Sequence, residues 1–79
     1  MARVLLFGRL ADQAGWRERN VEAADLAGLR GVLTADDAAL GEALAGPGVQ
    51  IAVDKVLVRG EAVLAVHTEV AFLPPMSGG

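Results

Sequence analysis

Hydrophobic positions recur along this chain in two rhythms, one suited to strands and one to helices. The opening run Val4-Leu5-Leu6-Phe7 is continuously apolar and is closed by Gly8. Continuous apolarity over so short a length fits a buried strand, and residues 2–8 are assigned one. Leu10 to Ala14 reads as a short helical turn, with Gly15 as its stop. The polar stretch Arg17-Glu18-Arg19-Asn20-Val21-Glu22 has the charges of an edge strand, returning beside the first as a hairpin. Next, Leu26, Leu29, Val32 and Leu33 recur at helical spacing behind Asp25, a good N-cap. Gly28 and Gly31 lie inside that stretch and cost about 1 kcal/mol each relative to alanine, so the helix depends on packing.

Thr34 or Asp36 caps a second helical piece through Leu40, Ala43 and Leu44, ended by Gly46-Pro47-Gly48. Spacing alone leaves open whether 26–45 is one kinked helix or two. Val49–Val53 and Val56-Leu57-Val58 form short strands around a turn at Asp54-Lys55, and Glu69-Val70-Ala71-Phe72-Leu73 is a final strand stopped by two prolines. Two strands, a crossing helix and a return to strands predict an α+β domain, with a sheet packed against helix on one face.

Composition narrows the chemistry. Hydrophobic residues make up 53% of the 79 positions. So small a domain cannot hide all of them, which points to an apolar surface meant for a partner. With no cysteine, disulfides, thiolate metal sites and a cysteine nucleophile are all excluded. Net charge is −3, with six arginines and one lysine, Lys55, so nucleic acid is not an expected ligand. No run approaches the ~20 apolar residues of a membrane span, and the short apolar start is no signal peptide. A cytoplasmic setting is expected.

The most informative segment is Phe72-Leu73-Pro74-Pro75-Met76-Ser77-Gly78-Gly79. Paired terminal glycines arise by chance in about 0.5% of chains, but here they follow a strand and a stiff spacer. Glycine pairs make the thinnest peptide available, able to enter a narrow cleft. Each proline fixes φ near about −65° and resists coiling back. The expected organisation is therefore a globular domain over 1–73 and an extended tail over 74–79 that holds the Gly79 carboxylate away from the body.

Other candidates read more plainly. His67 is a lone turn histidine without the companions that metal ligation needs. Asp36-Asp37 is a cap rather than a paired acid site, and Lys55 is a solvated turn residue.

The tail, together with Ile51-Ala52-Val53-Asp54-Lys55-Val56-Leu57-Val58, Glu69-Val70-Ala71 and Arg3-Val4-Leu5-Leu6-Phe7-Gly8-Arg9-Leu10, resembles the small subunit of molybdopterin synthase. The likeness spans most of the chain and is strongest over its last third. Two departures stand out: Asp54 where the family commonly has asparagine, and an apolar Ala65-Val66-His67-Thr68-Glu69 where it often has an acidic, glycine-containing turn.

The resemblance implies a β-grasp, ubiquitin-like fold with a mixed sheet. It implies that an adenylating enzyme uses ATP to activate the Gly79 carboxylate, and that a sulfur donor protein converts it to a thiocarboxylate. The large synthase subunit then admits the tail, and sulfur passes to a cyclic pyranopterin precursor of the molybdenum cofactor. Gly78 and Gly79 are the reactive end; the catalytic side chains lie on the large subunit, in a heterotetramer with two copies of each. Partner contacts are implied at Phe7, Leu57, Phe72, Leu73, Pro74, Pro75, Met76 and Ser77, with no metal and no cofactor bound by this chain. Phe7, Leu57 and Leu73 fit core packing equally well. Rival readings are a carrier for thiamine, tRNA thiolation or cysteine synthesis, a protein modifier conjugated through Gly79, and a passive β-grasp interaction module.

Overall fold

Strand parity sends Ala2, Val4 and Leu6 of β1 (Ala2–Leu6) inward and Val70 and Phe72 of β5 (Glu69–Leu73) to the same side. These two strands lie parallel, with Leu6 opposite Phe72. The computed structural model describes residues 1–75. β2 (Glu18–Val21) returns antiparallel to β1 as a charged edge. On the other side, β3 (Gln50–Val53) runs antiparallel to β5 and turns into β4 (Val56–Val58). The five-stranded sheet is ordered β2-β1-β5-β3-β4, the mixed β-grasp arrangement, with the last strand at its centre.

The hairpin between β3 and β4 turns on Asp54 and Lys55, both at positive φ (49° and 71°), the sign pattern of a type I′ turn. Aspartate tolerates this conformation, and its carboxylate also accepts a hydrogen bond from the Glu69 amide at 2.9 Å. The 65–69 segment closes on hydrogen bonds of its own, the Thr68 amide donating to the Ala65 carbonyl at 3.2 Å. Thr68 is buried, its hydroxyl accepts from the Ala65 amide at 2.8 Å, and only His67 takes a positive φ.

Helices cover one face of the sheet. α1 (Arg9–Ala14) ends at Gly15 in the left-handed region, as its sequence predicts. α2 (Leu26–Asp36) is capped by Asp25, whose carboxylate accepts from the Gly28 amide, and it buries Leu26, Leu29 and Leu33. Val32, assigned to the same stripe, is instead 38% exposed, because it sits at the rim of that face.

α2 and α3 (Ala38–Leu44) are two helices, and the second is capped by Asp37 rather than Thr34 or Asp36: the Asp37 carboxylate accepts from the Leu40 amide at 3.1 Å. Asp36 pairs with Arg19, tying the end of α2 to the β2 edge. β1 stops at Leu6, short of the expected end at Gly8, because Gly8 already precedes α1 at φ +56°. The linker after β4 is stitched to the start of α2. Glu61 accepts from the Leu26 amide at 2.8 Å and the Ala27 amide at 3.2 Å, while the Leu64 amide donates to the Ala24 carbonyl at 2.8 Å.

Candidate functional site

The face of the sheet turned away from the helices carries exposed Leu57 and Phe7. Register places Leu5, Ala71, Ala52 and Leu57 in one row across β1, β5, β3 and β4. Ala71 and Ala52 are buried, at 6% and 9% exposure, although they face away from the main core, whereas Leu57 stands 57% exposed at the edge. Phe7, 44% exposed, continues the parity of Arg3 and Leu5, and half-buried Leu73 continues that of Glu69 and Ala71. The result is an apolar row of small central and large peripheral side chains across the middle of the sheet, extended by Phe7 and Leu73 toward the end where β5 finishes, with exposed Gln50 beside Leu73.

The opposite end of the same face is ionic. Arg3 pairs with Glu69 at 2.9 Å and with Glu18 at 3.7 Å. These exposed pairs add little stability. They do divide the face into a charged end and an apolar end, and the tail leaves from the apolar one.

Of the residues assigned to partner contact, Phe7 and Leu57 are exposed and on one face, and Leu73 lies between them. Phe72 does not belong with them. It is fully buried, in a row with Leu6 and Ile51 on the helix side, because neighbours along a strand point to opposite faces and Leu73 takes the outer one. Phe72 is a core residue.

Pro74 and Pro75 also depart from expectation. The sequence predicts an extended spacer held away from the body, yet both rings are half-buried against it, Pro74 beside Gly8 and Pro75 beside Gly48. Pro75 further walls a groove of about 320 Å³ with Arg9, Leu10, Gln13 and Pro47. Met76, Ser77, Gly78 and Gly79 lie outside the described residues.

His67 is exposed, and its amide donates to the Met1 carbonyl at 3.2 Å, which makes it a turn residue. Among the described residues there is no cluster of three or more histidines and carboxylates arranged for a metal, and no helix long and apolar enough to cross a membrane. Sequence reasoning missed the two glycines beside the prolines. Their local signal was visible but suggested only turn formation.

The fold has close structural counterparts. The crystal structure of SAMP1 from Haloferax volcanii superposes with a TM-score of 0.85 at 24% identity, covering 99% of this chain and 98% of that one. The solution structure of small archaeal modifier protein 1 from Methanosarcina acetivorans gives a TM-score of 0.86 at 23% identity, covering 99% and 95%. At this identity the likeness establishes the ubiquitin-like β-grasp fold. No curated protein matches in sequence. Residues 4–79, nearly the whole chain, match the ThiS family. The chain thus belongs to the ThiS family of ubiquitin-like sulfur carriers, which work with activating and partner enzymes.

Proposed function

We propose that this protein is the sulfur-carrying small subunit of molybdopterin synthase, working in the cytoplasm through the Gly79 carboxylate. The observation that supports it most is the apolar patch of Phe7, Leu57 and Leu73 beside the end of β5. A carrier whose tail must enter another protein's active site needs a docking surface next to the root of that tail.

In the first step a Gly79 carboxylate oxygen attacks the α-phosphorus of ATP, releasing pyrophosphate and forming an acyl adenylate. A sulfide-level donor then displaces AMP and leaves a thiocarboxylate. In the synthase its sulfur attacks the cyclic pyranopterin precursor, and water releases the acyl group to restore the carboxylate. Two such transfers supply the dithiolene. No side chain of the carrier acts as acid or base here; the partners provide orientation and electrostatics.

The test is intact-mass measurement after incubation with ATP, an activating enzyme and a sulfur source. One oxygen exchanged for sulfur at Gly79 is expected, followed by conversion of the pyranopterin precursor when the large subunit is added. Loading without conversion redirects the reading to a carrier for another pathway, such as thiamine synthesis or tRNA thiolation.

A second reading is favoured by the names of both structural counterparts, which are called modifiers. In it the activated Gly79 is conjugated to lysines of other proteins. Discrete high-mass conjugates on immunoblots, lost on deleting Gly79, support that reading; their absence in cells that load sulfur normally excludes it.

A further inference from the structure

We propose that Gly8 and Gly48 form a seat for Pro74 and Pro75 that fixes the direction in which the chain leaves β5, so that docking face and tail move as one unit. β5 is flanked by the end of β1 on one side and the start of β3 on the other. At each flank, next to the departing chain, stands a glycine at positive φ: Gly8 at +56° and Gly48 at +82°. A Cβ built on Gly8 would lie 3.0 Å from Pro74 Cγ, and one on Gly48 would lie 2.7 Å from Pro75 Cβ. Ordinary carbon contacts are about 3.5–4.0 Å. Only a residue without a side chain lets the rings come this close.

The glycines therefore do two jobs. Each allows a turn that other residues take only under strain, and each offers bare backbone as a surface for a proline ring. Proline suits the other half of the contact. Having no amide hydrogen, it leaves no donor unpaired once the strand ladder ends at Leu73, and its fixed φ means that little freedom is lost when the ring is seated. Phe7 adjoins Gly8 and Leu73 adjoins Pro74, so the apolar patch and the seat are continuous in the chain. Gly8 and Gly48 are positioning residues for whatever enzyme must engage the patch and the tail together. That functional consequence rests on the carrier reading above; the seat itself does not.

The test is a double-mutant cycle on the full chain, combining Gly48→Ala with Pro75→Gly. Two quantities are measured: thermal stability, and ATP–pyrophosphate exchange by the activating enzyme with the carrier as varied substrate. Gly48→Ala is expected to lower stability, and to lower it less in the Pro75→Gly background, where the ring is gone. In exchange, Gly48→Ala is expected to lose roughly tenfold to a hundredfold in kcat/KM. That loss should lie in kcat, because the body still docks while the tail is misdirected, and it should shrink in the double variant. Simple loss of folded carrier shows up as a raised KM instead. The parallel cycle of Gly8→Ala with Pro74→Gly should show the same pattern with smaller effects, since its contact is the looser one.

Strictly additive stabilities overturn the seat. A rate loss confined to KM, in step with the unfolded fraction, overturns its positioning role. If the unmodified chain supports no exchange, the carrier reading fails, and the stability cycle still decides the seat.

Discussion

Replacing Phe72 and Leu57 separately by alanine separates core from docking face. Phe72 is fully buried between Leu6 and Ile51 at the middle of the sheet. Truncating such a residue costs about 3–5 kcal/mol, through lost transfer free energy and the cavity left behind. A domain of 79 residues has roughly 4–12 kcal/mol of stability in all. The change therefore removes a quarter of it at the least, and Tm should fall by at least about 12 °C.

Leu57 is 57% exposed at the sheet edge, so its truncation should cost under about 1 kcal/mol of stability. At a docking surface the same change removes an apolar anchor worth about 2 kcal/mol, a loss of about thirtyfold in affinity. Thermal denaturation of both variants, with calorimetric titration of Leu57→Ala against the large synthase subunit, checks the contrast. If Leu57→Ala destabilises the fold as much as Phe72→Ala, or leaves partner affinity untouched, the outer face is not the docking face.

Glu61→Gln weakens the charge-assisted bonds to the Leu26 and Ala27 amides; chemical denaturation should show a loss of about 1 kcal/mol, and Glu61→Ala should lose more. Gly41→Ala puts a methyl carbon 2.8 Å from the Thr34 Cβ, where α3 crosses α2. The expected cost is about 1–3 kcal/mol; the additional change Thr34→Ala removes the hydroxyl and methyl contacts but keeps the Cβ, so it should recover only part of that cost in the same assay. Deleting Gly79 should abolish sulfur loading by intact mass and leave the melting curve unchanged; loading that survives the deletion refutes the terminal carboxylate as the working group.

Local pattern made most of this fold readable. Leu26, Leu29 and Leu33 announce α2, Asp25 starts it, and the apolar run of β1 stands out against the charged edge of β2. The errors come from places where several residues offer the same local signal. Thr34, Asp36 and Asp37 are all competent caps, and only the geometry at Leu40 selects Asp37.

Phe72 was misplaced for a different reason. The resemblance implies a partner contact for it as for Leu73, whereas strand parity assigns adjacent residues to opposite faces. Glu61 and the amides of α2 are far apart in the chain, and Gly48 meets Pro75 only because β3 and β5 pair in one register. Contacts of that kind depend on the whole fold and leave no local trace.

On the reading proposed above, the carrier needs no catalytic side chains of its own. What it must supply is geometry: a surface that other enzymes recognise and a tail that leaves this surface along a defined path. β5 joins the two, since Ala71 and Leu73 lie on the outer face and the chain passes directly from Leu73 to Pro74. An enzyme gripping Phe7 and Leu57 thereby learns where the tail begins. Seating the prolines extends that knowledge two residues further, to Pro75. The entropy of aligning the tail is then partly met before any partner arrives, which is how a preorganised ligand gains affinity and rate. A tail joined through a limp linker would keep the docking affinity and lose the rate. Inserting two glycines between Leu73 and Pro74 tests this. Affinity for the large subunit should hold within about threefold, whereas single-turnover sulfur transfer should slow by roughly tenfold or more. An insertion that leaves the transfer rate unchanged shows that the tail finds its own way, and the rigid junction then has no functional part.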